Sequence, residues 1–103
     1  MAEITREHLE LAALAAGIGR DEAGMYVSPT GGPINWRPHL DDGDAARLAD
    51  KLLMYVDSRG TAVQARVVGA EWHRVARDGN PSAWREAVVL CAAAVGERMR
   101  GER

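Results

Sequence analysis

Asp41-Asp42-Gly43-Asp44-Ala45-Ala46-Arg47-Leu48-Ala49-Asp50-Lys51-Leu52-Leu53-Met54-Tyr55-Val56 and, beyond Gly60, Thr61-Ala62-Val63-Gln64-Ala65-Arg66-Val67-Val68 together decide the fold. In the first segment the apolar side chains fall at Ala45, Leu48, Ala49, Leu52, Leu53 and Val56. That spacing follows the period of a helix with one buried face. An aspartate at its head can accept a free first-turn amide, and further acids there complement the helix dipole. Arg47, Asp50, Lys51 and Asp57 lie off the stripe, and Gly60 suits a left-handed stop. In the second segment the period drops to two. Val63, Ala65 and Val67 share one face, and Gln64 and Arg66 the other.

Downstream, Gly69 turns the chain into a second strand over about residues 71–76. It places Trp72 and Arg74 on one face and His73 and Val75 on the other. Arg77-Asp78-Gly79-Asn80 is a polar turn, and Asn80-Pro81 opens a last helix, with Asn as cap and Pro at the first helical position. Its expected buried stripe is Trp84, Ala87, Val88, Cys91, Ala94 and Val95, with Arg98 and Arg100 at the favourable C-terminal end. Residues 101–103 should fray.

Upstream, a first helix is expected over about residues 6–16, capped by Thr5 and stopped by Gly17 and Gly19. Between the first two helices, Gly24, Pro29, Gly31, Gly32, Pro33 and Pro38 exclude a long helix. Short extended pieces at 25–27 and 34–36, joined by a turn at 30–33, fit there. The order is helix, short extended region, helix, hairpin, helix. It predicts an α+β domain in which three helices flank a small, mainly antiparallel sheet.

With 103 residues there is room for one domain over residues 1–103. A single cysteine, Cys91, excludes an internal disulfide framework and any cysteine-rich zinc site. On a helix stripe it reads as a buried, inert thiol. Net charge is −2, and no basic stripe points to nucleic acid. Residues 1–60 carry 6 basic and 10 acidic side chains, whereas residues 61–103 carry 7 basic and 5 acidic. No apolar run is long enough for a membrane span, and the first residues lack the pattern of a secretory signal. A cytoplasmic location is the expectation.

The acids Asp41, Asp42 and Asp44 beside His39 offer donors to a metal, but the spacing is not that of a calcium loop. Helix capping accounts for all three, so no metal or cofactor is expected. His8, His39 and His73 show no ligand or catalytic spacing. The turn Pro29-Thr30-Gly31-Gly32-Pro33 lacks the Gly-Lys-Ser/Thr ending of a phosphate loop. No catalytic residue is expected, and the protein is read as a non-enzyme.

Binding candidates are the aromatic and arginine residues, the types that dominate interface energetics. Trp36 sits with Arg37 and His39 in a proline-flanked segment. It either plugs one end of a core that has no Phe or presents a surface to a protein or a flat ligand. Arg66, Trp72 and Arg74 on the hairpin, with Arg77 and Arg85 nearby, form an anion-recognising group if they share a face.

The stretch from His39 to Leu52, the hairpin after it, and the Asn80-Pro81 opening of an Ala-rich helix over residues 83–99 resemble the phage alpha-beta-alpha sandwich domain family. The likeness spans roughly residues 1–100 and is strongest over 36–56 and 80–99. It implies a small protein encoded by a bacteriophage or prophage, and it transfers no catalytic residue. The leading expectation is therefore an accessory protein that binds a host protein and inhibits a host defence system. The alternative is a nucleotide-like ligand binder, as a homodimer, with Trp36 or Trp72 for stacking and Arg66 or Arg74 for phosphate. A third possibility is a metal hydrolase built on His39 and the aspartates.

Overall fold

The structure, a computed structural model, describes residues 4–58 and 60–101. It is an α+β arrangement of three helices and two antiparallel sheets of three strands each. Helix α1 spans Arg6–Ala16, α2 Asp42–Lys51 and α3 Ala83–Gly101. Strands β1 (Gly19–Arg20), β2 (Tyr26–Val27) and β3 (Pro33–Ile34) form the first sheet in that order. Strands β4 (Tyr55–Asp57), β5 (Ala62–Arg66) and β6 (His73–Ala76) form the second. The single sheet expected from the sequence is thus two. Strand β1 was not anticipated, and β2 and β3 are two-residue pairings shorter than the pieces expected.

Helix α1 starts as its sequence dictates. The Thr5 hydroxyl accepts the His8 N–H at 3.2 Å, and His8 Nδ1 accepts the Thr5 N–H at 3.0 Å. His8 therefore does the reciprocal work of the Glu or Gln of a capping box. At the head of α2, Asp41 is the cap and accepts the N–H groups of Gly43 and Asp44 at 2.7 and 3.2 Å.

The end of α2 departs from expectation. The helix stops at Lys51, well short of Gly60, and residues 55–57 become strand β4. Leu53 takes a left-handed φ of 51°. Its N–H bonds the Asp50 carbonyl, and the Met54 N–H bonds the Ala49 carbonyl. This is the Schellman pattern with leucine where glycine is usual. Leu52 and Val56 remain partly buried against the core from outside the helix, which is why the apolar period runs on past its end.

Helix α3 is the hub. It packs on α1 and α2 on one side and on β5 and β6 on the other. Two apolar clusters result. Ala12, Ala13, Ala16, Trp36, Ala45, Leu48, Ala49, Val88, Val89 and Ala92 make one. Val63, Ala65, Val75, Ala83, Ala87 and Cys91 make the other. Met54, Val56 and Trp84 pack against both. The buried surface of α3 is shifted from the predicted stripe: Ala87, Val88 and Cys91 are buried, Trp84, Ala94 and Val95 are only half-buried, and Val89, Ala92, Ala93 and Gly96 are buried as well. A helix between two cores needs apolar residues on both sides. The helix begins at Ala83, two residues after the expected proline position, although the Asn80 side-chain oxygen still accepts the Ser82 N–H at 3.0 Å. Gly101 is helical rather than frayed; residues 102 and 103 lie outside the described residues. No helix among the described residues is long and apolar enough to cross a membrane.

Candidate functional site

The second sheet has one covered and one open face. Pairing sets Val56 opposite Ala65 and Ala65 opposite His73, with Val63 opposite Val75. That set faces α3. The alternate set pairs Tyr55 with Arg66, and Asp57 with Gln64 and Gln64 with Arg74. Side chains alternate along each strand, so these residues share the outer face.

On that face Arg66 lies between two aromatic rings. Its guanidinium carbon is 4.8 Å from the Trp72 ring centroid and 5.8 Å from that of Tyr55. Both are within cation–π range. Tyr55 and Trp72 are exposed, as is Arg74. Trp72 belongs to the β5–β6 connection rather than to the strand, and the same connection exposes Val68. Arg66 makes no ion pair or hydrogen bond among the described residues, and its Nε is buried without a partner. Arg66, Trp72 and Arg74 are thus brought together as the sequence suggested, and Tyr55 joins them. The sequence does not single out Tyr55 for this face, because the helical apolar period runs past it to Val56.

The other arginines go elsewhere. Arg85 is a structural tie between α3 and the start of α2. It donates to the His39 carbonyl at 3.1 Å, to Asp42 at 2.7 Å and to the Ser82 hydroxyl at 2.7 Å. Arg77 donates to the Ser58 carbonyl.

Trp36 is not the exposed anchor that a binding role would use. It is 7% exposed and stacks edge-on against Tyr26, with centroids 5.2 Å apart. Arg20 covers the Tyr26 ring at 4.5 Å and donates to its hydroxyl. A core without Phe draws its largest ring inward. Arg37 is exposed and His39 half-buried; together with Trp36 they line a cavity of about 300 Å³ beside the first sheet. Burial, aided by Arg37 and Arg85, lowers the His39 pKa below its ordinary 6.5. Trp72 and Arg74 line a different cavity from this group.

The aspartates beside His39 are committed to structure. Asp41 caps α2, and Asp42 pairs with Arg85. Buried Asp44 accepts the Arg37 N–H at 2.9 Å and an Arg47 N–H at 2.6 Å. No group of three His, Cys, Asp or Glu among the described residues could hold a metal ion.

Trp72 also borders a cavity of about 550 Å³ between β6 and the facing ends of α1 and α3. Glu7, His8, His73, Arg74 and Glu97 line it. Burial lowers the His73 pKa, with Glu71 opposing. Comparison with protein-family models, curated proteins and solved structures finds no match to this chain.

Proposed function

We propose that this is a phage- or prophage-encoded, non-enzymatic protein whose outer sheet face binds an acidic surface of a host protein. The observation that carries the contact is Arg66, a cation held between Tyr55 and Trp72 with no anionic partner among the described residues. A guanidinium fixed by flanking rings has lost its freedom before binding and keeps its charge for a partner carboxylate. Exposed Tyr, Trp and Arg together are the composition of binding hot spots. Arg74 adds a second cation on the same face. The phage origin and the inhibition of a host defence system rest on the resemblance to phage alpha-beta-alpha sandwich proteins.

A nucleotide at this place is the weaker reading. The cavity beside Trp72 and Arg74 has a suitable size, but two acids, Glu7 and Glu97, line it with Arg74, and Arg100 is already paired with both of them.

The test is capture from a bacterial host lysate by the wild-type chain, by Arg66→Glu and Trp72→Ala, and by Arg37→Glu as a remote control. A stoichiometric protein partner retained by wild type and control but lost by both face variants supports the reading. Capture indifferent to the face variants, or none, refutes it.

A further inference from the structure

Away from the second-sheet face lies another cavity. It measures about 500 Å³ and lies between α2, the end of α1 and the first sheet. Ile18, Ile34, Trp36 and Leu48 supply an apolar lining. Arg47 and Lys51, one turn apart on α2, stand at the same cavity. Lys51 is the sole lysine of the chain, is exposed, and makes no ion pair among the described residues. The one acid among the described lining residues, Asp44, is already bonded by the Arg37 N–H and by Arg47.

We infer that this cavity binds a small amphipathic monoanion, a short hydrocarbon chain or single ring bearing one carboxylate. The size falls in the usual range of roughly 300–1,000 Å³ for small-ligand sites. Such sites join an apolar body to a few polar groups that fix orientation. Here the hydrocarbon lies against Trp36 and Leu48, and the carboxylate meets the Lys51 ammonium, while Arg47 neutralises Asp44 in an ion pair of 2.6 Å. A neutral apolar molecule would gain only the first contact. A multiply charged phosphate ester would have too little polar lining to replace its hydration, because desolvating charge without full pairing is costly. The site is separate from the Arg66 face, so its occupancy and the host-protein contact can fail independently.

Decanoate is the probe, with 1-decanol as its neutral counterpart, and the readout is the assigned amide and indole N–H resonances of the whole chain. Saturable shifts at the Trp36 indole and at Ile18 and Ile34, with Kd below about 2 mM, are expected for decanoate. The variant Lys51→Glu alters an exposed residue and should fold. It should weaken decanoate at least fivefold and leave decanol within twofold. Absence of saturation, shifts centred on Trp72 instead of Trp36, or equal response of the two probes to Lys51→Glu would each overturn the inference.

Discussion

Gly96 of α3 crosses the backbone of Leu11 in α1 so closely that a methyl group at Gly96 would lie 2.6 Å from the Leu11 carbonyl carbon and closer still to its oxygen. The Ala12, Ala13, Ala16, Ala92 and Ala93 side chains around this crossing are all buried. Small residues let the helices approach, and the approach lets short side chains fill the space between them. Alanine at position 96 gains about 1 kcal/mol of helix propensity but meets fixed backbone rather than a flexible side chain. Gly96→Ala is expected to destabilise by at least ~2 kcal/mol net. Gly101, in the same helix with open space around it, is the control, and Gly101→Ala should change stability by less than ~0.5 kcal/mol. Urea unfolding of the two variants measures both.

Leu53 supplies a change of opposite sign. It holds a left-handed φ of 51° and is 78% exposed. A side chain there costs roughly 1 kcal/mol relative to glycine and returns little burial. Leu53→Gly should stabilise the chain by ~0.5–1 kcal/mol, read as a raised urea midpoint with an unchanged slope.

That residue also shows where the sequence was legible and where it was not. Thr5 and the aspartates of 41–44 announced the helix starts, because a capping side chain is a local signal that later packing did not override. The alternation from Val63 to Val67 announced β5 and its two faces for the same reason. The end of α2 carried no such signal, since leucine is a poor marker for a left-handed stop. Leu52 and Val56 stayed on the apolar period for reasons of core packing, not helix. Reading past Lys51 hid β4, and with it Tyr55 as a neighbour of Arg66. In the first sheet β2 and part of β3 showed as short extended pieces at 25–27 and 34–36 and β1 did not, because two-residue strands hold too few side chains to show a period. Trp36 was ambiguous by nature: composition alone does not say whether a core without Phe takes in a given tryptophan.

Asp44 ties the segment before α2 to the helix. It is 8% exposed and accepts from the Arg37 N–H and from Arg47. Asp44→Ala leaves the Arg37 N–H without its acceptor and should cost ~2–3 kcal/mol. Asp41→Ala removes a more exposed cap and should cost about 1 kcal/mol. Thermal or denaturant unfolding should preserve that order.

Acid should weaken the fold through His39 and His73. Both have folded pKa values below the ordinary 6.5, with burial the leading cause in each. The unfolded chain therefore binds more protons than the folded one as pH falls through 6.5, so stability drops there and levels off below the folded values. Between pH 7.5 and 5 the wild type should lose more stability than a His39→Gln, His73→Gln double variant. Equal losses would contradict the assignment.

Cys91 should resist alkylation. It is 1% exposed, and burial pushes its thiol up to about 11. Iodoacetamide at pH 8 should label the folded chain at least a hundredfold more slowly than the urea-unfolded chain, since only the thiolate attacks. Comparable rates, followed by mass spectrometry, would mean that the second core opens readily.

The central claim is that Arg66, poised between Tyr55 and Trp72, is the anchor of a contact with an acidic protein surface. The affinity of the purified stoichiometric complex for wild type and Arg66→Ala tests it most directly. Loss of a central arginine anchor should weaken binding at least about 30-fold, ~2 kcal/mol. The wild-type complex should also weaken as salt rises. A change of under threefold in a folded Arg66→Ala variant would contradict the account.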